Sequence, residues 1–293
     1  MQEFRFNFGA AAQQAQAPLP APEPSAGPAA LLALPSSFAE PFATQAVPGQ
    51  PSLVQYAVPD ADAVSGVRSL DVLPHVYEGG AKLWECTGDL LRCLEELLGG
   101  EGLRGARVLD LGCGAGLLGI TALKRGAASV TFQDLNAPVL SQVCARNIVG
   151  NGVGGAPQAA HLLAGDWRAM LDAAQREAGG ASGSGSGEGG DSLEDHLRPG
   201  FSLVLSSETL YRPASYAVLC PLLRCLLQRS PNPAASLALF ATKRFYFGEG
   251  LGGGSALFME ACRSHGLAAA TVKSFEDGAS NVRDIVRVTL DAC

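Results

Sequence analysis

The chain has 293 residues, 47% of them hydrophobic, which is enough for a sizeable core in one or two domains. With 28 acidic residues against 21 basic ones its net charge is -7, which disfavours a partner held mainly through phosphates and favours a basic protein partner. The eight cysteines form no Cys-x-x-Cys and the histidines His75, His161, His196 and His265 stand without ligand spacing, a pattern that argues against structural zinc and fits reduced thiols in cytoplasm or nucleus.

In chain order, Met1 to Phe8 lacks the apolar run of a signal peptide, and no segment reaches the roughly 20 apolar residues of a membrane span. No Lys or Arg lies between Arg5 and Arg68, while Glu23, Glu40, Asp60 and Asp62 do, the opposite of a mitochondrial transit peptide. Residues 10–59 are rich in Ala, Pro and Gln with few large apolar side chains, so 1–71 is expected to be a mostly disordered arm. Phe4, Phe6 and Phe8 alternate and would share one face of an added edge strand.

The ordered domain is expected over 72–293. Thr87 to Leu98 reads as an amphipathic helix with Leu90, Leu91, Leu94, Leu97 and Leu98 on one stripe, Thr87 as N-cap and Gly99 as stop. Strands and helices then alternate: Arg107 to Leu111, Leu117 to Arg125, Ser129 to Asp134, Pro138 to Val149, Ala160 to Ala164. This alternation predicts a parallel sheet with helices on both faces. A Gly/Ser-rich insertion over about 172–199 interrupts it. Strands at Phe201 to Ser206 and Ser236 to Ala241 follow, with a helix at Ser215 to Arg229 between them. A helix at Ser255 to Ser264 leads to a terminal antiparallel hairpin, Ala269 to Phe275 and Asp284 to Leu290. The expected fold is α/β, a Rossmann-like sheet of seven strands.

The first strand of this sheet breaks into Gly112, Gly114 and Gly116 and then turns apolar at helical spacing, which places a ligand-accessible backbone turn at a strand's carboxyl end. A dinucleotide fingerprint would need its third glycine where Leu117 stands, and Asp110 puts a carboxylate beside the turn. This combination suits S-adenosyl-L-methionine, which carries a sulfonium, an ammonium and a ribose diol but no phosphate, better than a nicotinamide cofactor. Asp134, about twenty residues on, is placed to accept the ribose hydroxyls. Gly112 and Gly114 then admit the methionine half, and Gly165, Asp166 and Trp167 border the adenine.

Several blocks carry a closer likeness. Tyr77 to Gly80 with Lys82 to Thr87, the turn Leu109 to Thr121, Phe132 to Asp134, Ser206 to Tyr211, and Tyr246 to Gly248 with Gly252 to Gly254 together resemble the protein-histidine methyltransferases of the seven-β-strand class. The likeness spans about Val76 to Leu290 and implies a class I methyltransferase sheet and S-adenosyl-L-methionine as cofactor. It further implies methylation of the Nτ atom of one histidine in a large-subunit ribosomal protein. Family contacts to the cofactor carry over onto Leu83, Trp84, Glu85, Cys86, Thr87, Gly112, Asp134, Leu135, Asn136, Gly165, Asp166, Trp167 and Ser207. Leu135 stands where the family is expected to carry an aromatic.

Histidine, with a pKa near 6.5, is mostly neutral at pH 7 and needs a fixed tautomer more than a strong base. Glu208, just past a strand end, is the candidate to hold Nπ–H, with Tyr211 as neighbouring wall or donor. Other readings stand beside these. Glu208 as a helix-cap carboxylate, Trp84 as a core aromatic and Cys113 as a packing residue are structural alternatives. A protein-lysine methyltransferase of the same fold and a non-catalytic, cofactor-binding assembly chaperone are functional ones. Direct nucleic-acid modification is disfavoured by charge and by Ser206-Ser207-Glu208-Thr209, which lacks an Asn-Pro-Pro-aromatic pattern. The protein is expected to be a monomer of cytoplasm and nucleus, with no metal and no membrane association.

Overall fold

A computed structural model describes residues 29–39, 43–56, 80, 83–99, 103–153, 160–176, 192–247, 252–278 and 281–291. The central strands are short, mostly aliphatic and β-branched runs buried on both faces, as a sheet covered on both sides requires, and one of them turns Ser129, Thr131 and Gln133 to a single face. Strands β4 (Arg107–Leu111), β5 (Ser129–Asp134), β6 (Ala160–Ala164), β7 (Leu203–Ser207) and β8 (Leu237–Lys243) run parallel, in the spatial order β6-β5-β4-β7-β8. Strand β10 (Arg283–Leu290) lies antiparallel on β8, and β9 (Leu267–Phe275) pairs with its outer side. These are the seven expected strands with their terminal hairpin. The bounds of β4, β5 and β6 fall where the apolar pattern placed them.

Alternate strand residues feed two cores. Val108 of β4 joins helices α1 (Glu85–Leu98) and α2 (Leu117–Lys124) and the π-helical turn Val139–Cys144 that runs into α3 (Ala145–Gly150). Leu109 and Leu111 point the other way, into the layer of α4 (Trp167–Gln175), α5 (Leu193–Leu197), α6 (Tyr216–Gln228) and α7 (Ser255–Ser264). All three strand side chains are fully buried, each contributing roughly 1.5–3 kcal/mol. Among the described residues no helix is long and apolar enough to cross a membrane.

The chain fills one side of β4 with β5 and β6, then returns to lay β7 on the other side. That reversal opens a crevice at the carboxyl ends of β4 and β7, where ligands of such sheets bind.

Three expectations are corrected. Within the stretch read as a disordered arm, β1 (Ala30–Leu32) pairs antiparallel with β6 as an eighth strand, and β2 (Thr44–Val47) with β3 (Gln50–Tyr56) forms a hairpin. The few apolar residues there suffice because they dock on an existing core: Val47 and Leu53 are buried, and the Val54 N–H donates to Asn151 of the turn after α3 at 3.1 Å. Helix α1 begins at Glu85 with Trp84 at its N-cap position, so Thr87 is not the cap. Its hydroxyl instead meets that of Ser207 at 2.7 Å, tying α1 to the end of β7. The insertion is shorter than expected, since α4 continues to Gln175 and α5 resumes after Ser192, whose hydroxyl accepts the Asp195 N–H at 3.1 Å. The Gly/Ser core of that insertion and Phe4, Phe6 and Phe8 lie outside the described residues.

Candidate active site

The turn after β4 needs its glycines. Gly112 and Gly114 have φ of 63° and 50°, left-handed values that side chains with a Cβ rarely adopt. A Cβ on Gly112 would stand 2.5 Å from Thr209 Cγ2, and one on Gly114 would stand 2.8 Å from the Gly80 carbonyl oxygen. The Thr209 side chain and the Gly80 backbone therefore approach the turn closely.

Asp110 does not face a ligand, contrary to its reading from the spacing. It is 1% exposed and its Oδ2 accepts the Gly119 N–H at 2.8 Å, fastening β4 to α2. Burial pushes its carboxyl up to about 8, against the opposing pull of that N–H.

Asp134, at the end of β5, braces the turn: Oδ2 accepts the Gly114 N–H at 3.0 Å and Oδ1 the Asn136 N–H at 2.9 Å. A carboxylate has roughly four acceptor sites, so these two bonds do not by themselves exhaust it. Leu135 and Asn136, next along, are half-buried.

Gln133 ties three strand ends together, a role the sequence reading missed. Its Oε1 accepts the Gly112 N–H and the Trp167 indole N–H, both at 3.1 Å, and its Nε2 donates to the Gly165 carbonyl at 2.7 Å. A glutamine inside a strand with no exposed face was the available signal, since a buried amide must find partners. Asp166 caps α4, its Oδ1 accepting the Ala169 N–H at 2.8 Å. At Gly165 the neighbour is Ala29: a Cβ there would meet Ala29 Cα at 2.4 Å, so the chain entering β1 crosses this strand end.

On the other side of the switch point, Ser206 donates to the Leu111 carbonyl at 2.8 Å and meets Thr209 Oγ1 at 2.7 Å. Glu208 follows at the β7 end, 9% exposed, with φ of 56° and its N–H bonded to the Ala241 carbonyl at 2.9 Å. It caps no helix among the described elements. Tyr246, from the segment after β8, donates its hydroxyl to Glu208 Oε2, and its ring lies edge-on to Tyr211 at 6.1 Å. Sequence reading quoted Tyr246 without a role.

Cys86 sits beside this carboxylate; burial first, and then the Glu208 charge, push its thiol above the usual range. Of the other expected contacts, Thr87 and Ser207 meet as described, Leu83 and Trp84 are half-buried, and Glu85 is exposed on the first turn of α1. Cys113 is a packing residue, its thiol pushed up by burial and by Cys144. Tyr77 to Gly79, Lys82 and Gly248 lie outside the described residues.

The crevice thus has two walls: a glycine turn with carboxylate and amide braces, and a buried carboxylate with hydroxyls and tyrosines. Thr209 on Gly112 joins them.

Comparison with known proteins sets the donor wall inside a matched family segment. Residues 85–171 match the family described as ribosomal protein L11 methyltransferase (PrmA). The chain is 38% identical over 202 residues to the Histidine protein methyltransferase 1 homolog of Rattus norvegicus, covering 67% of this chain and 53% of that protein. It is 34% identical over 221 residues to the homolog from Dictyostelium discoideum, covering 75% and 60%. The chain therefore spans little more than half the length of these curated relatives. Among solved structures, the SAM dependent methyltransferase from Agrobacterium tumefaciens superposes with a TM-score of 0.50 at 12% identity, over 88% of this chain and 72% of that one. The fold is one that methyltransferases use, and the sequence is similar to histidine protein methyltransferases across most of the chain.

Proposed function

We propose that this protein binds S-adenosyl-L-methionine in the glycine-turn wall and methylates the Nτ atom of a histidine in a basic protein, a component of the large ribosomal subunit. The observation that carries the reading is Glu208: a buried carboxylate at the switch point whose Oε1 receives no hydrogen bond among the described residues. Similarity to histidine protein methyltransferases supports the same choice of acceptor.

The donor wall fits the cofactor. Its polar groups are backbone N–H groups, the Asp134 carboxylate and the Gln133 amide, and α2 opens on Gly116 with no acidic or basic residue in its first turn. That set suits a phosphate-free ligand with a diol better than a diphosphate. When bound, S-adenosyl-L-methionine supplies an electrophilic methyl carbon whose bond to sulfur breaks with the electron pair staying on sulfur.

The residues of the second wall position the acceptor. Glu208 Oε1 takes the Nπ–H of the imidazole, which leaves the lone pair on Nτ to form the new N–C bond. The methylated ring, now a cation, keeps its Nπ proton against Glu208 and loses it to water on release. Alignment supplies most of the acceleration, and no covalent enzyme intermediate is needed. A lysine would first have to shed a proton at a cost of roughly 4–5 kcal/mol at pH 7, and a carboxylate facing it would hold the ammonium instead.

Incubating the purified chain with methyl-labelled S-adenosyl-L-methionine and ribosomal fractions, then hydrolysing the product, tests this directly. The expected label is Nτ-methylhistidine in a large-subunit protein. Methyllysine would assign the lysine alternative, and cofactor binding with no transfer would assign the assembly chaperone. We place the working protein in cytoplasm and nucleus as a monomer, where fractionation and sedimentation would check it.

A further inference from the structure

Glu208 holds a conformation its neighbours must impose. A non-glycine residue at φ 56° is strained, and strained residues persist where surrounding contacts over-determine them. The imposed feature here is asymmetry. Oε2 receives the Tyr246 hydroxyl, whereas Oε1 receives nothing among the described residues.

The Tyr246 hydroxyl is itself fixed. It accepts from the Lys243 N–H at 3.3 Å and from Thr242 Oγ1 at 3.2 Å, so its one proton is committed to Glu208. Burial and the adjacent carboxylate push the phenol well above the usual tyrosine range, so it remains a donor throughout the neutral range. The ring is held edge-on against Tyr211.

We infer that Tyr246 is a positioning residue that decides which imidazole nitrogen is methylated, by occupying Glu208 Oε2 and leaving Oε1 as the single oxygen able to take a ring N–H. The inference rests on the histidine reading above. With both oxygens open, the carboxylate would accept the ring N–H from two positions, and the ring could present either nitrogen to the methyl. With Oε2 occupied, one N–H position remains, and with Nπ–H held there, as in the histidine reading above, Nτ is the nitrogen left for the methyl.

The test is Tyr246→Phe in the full chain, which removes the hydroxyl and keeps the ring against Tyr211. Methyl-labelled S-adenosyl-L-methionine and a large-subunit ribosomal protein fraction serve as probes, with Nτ- and Nπ-methylhistidine separated after hydrolysis. Turnover is expected to fall about 10-fold, the size of one hydrogen bond to a charged group, with KM for S-adenosyl-L-methionine unchanged and Nπ-methylhistidine appearing beside the Nτ product. The Nτ to Nπ ratio is read from whatever fraction of the variant is folded, so partial unfolding does not blunt it. Combining Tyr246→Phe with Glu208→Gln should add nothing to the Glu208→Gln loss, because Tyr246 acts through that carboxylate.

A wild-type product purely Nτ, with a Tyr246→Phe product also purely Nτ whatever its rate, would overturn the inference while the histidine reading stands. Multiplying losses in the double variant would overturn it as well. No methylhistidine from the wild-type chain would bring down the histidine reading and this inference with it.

Discussion

The two walls of the crevice differ in how their charges are satisfied. On the donor wall, both oxygens of Asp134 accept backbone N–H groups and Gln133 spends both ends of its amide on three partners. These are braces that shape a backbone turn, and Asp134 keeps acceptor capacity beyond them for a ligand. On the acceptor wall, Glu208 is buried with one oxygen unbonded among the described residues and its backbone strained. Such a group is costly unless a substrate completes it. The difference teaches that Asp134 and Gln133 already hold the donor turn in shape before a ligand arrives, whereas Glu208 keeps one oxygen, unbonded among the described residues, for a second reactant.

The largest effect should come from cutting the donor brace. Asp134→Ala removes two charged hydrogen bonds to the turn, each worth roughly 1.5–3 kcal/mol, and the ribose acceptor with them. Affinity for S-adenosyl-L-methionine should fall by about 100-fold or more in calorimetry, and methyl transfer with it. Unchanged affinity would remove Asp134 from the cofactor site. On the acceptor wall the outcome should split: Glu208→Gln is expected to lower turnover by roughly 10- to 100-fold while cofactor affinity stays within about twofold. Equal loss of both would mean the two walls are one structural unit and the comparison is void.

Thr87→Val probes the seam between α1 and the end of β7 with a smaller change. It leaves Ser207 without its hydroxyl partner, at a cost of about 1 kcal/mol in urea unfolding. Because α1 presents Cys86 toward Glu208, KM for the protein acceptor should rise while cofactor affinity holds. A rise in cofactor Kd instead would place this hydroxyl pair on the donor wall, as expected from the sequence.

What could be read in advance follows from how local its cause is. Strands Arg107–Leu111, Ser129–Asp134 and Ala160–Ala164 are buried on both faces, so their apolar runs announce them. The hairpin Thr44–Tyr56 was illegible because its support, Asn147 and Asn151, lies about 90 residues away and its own composition is poor. Asp110 and Asp134 looked alike as acids near a glycine turn. Only the fold separates them, sending one into the sheet and the other to its rim. Glu208 was legible from its place after a strand. Its partner Tyr246, 38 residues on, was not, since β7 and β8 must pair before the two meet.

The smallest effect at neutral pH, and none at all above it, should come from beneath the donor wall. His196 of α5 is 7% exposed, meets Thr131 Oγ1 of β5 through Nε2 at 2.9 Å, and has the His161 ring 4.8 Å away. Burial first, then the charges of Arg107 and His161, depress its pKa from 6.5 to about 4. The unfolded chain therefore binds a proton at higher pH than the folded one, so the stability this site confers is complete above about pH 6.5 and is lost progressively as pH falls toward 4. The slope cannot exceed one proton, about 1.4 kcal/mol per pH unit. Urea midpoints of the wild type should drop across that window more steeply than those of His196→Gln, and the two should run parallel from pH 7 to 8. Because Thr131 sits on the strand that ends in Gln133 and Asp134, cofactor affinity should weaken over the same window while the Glu208 wall, on β7, keeps its Tyr246 bond. Parallel curves below pH 6.5 would show that His196 is not charged on unfolding in that range and that the donor wall's footing is insensitive to acid.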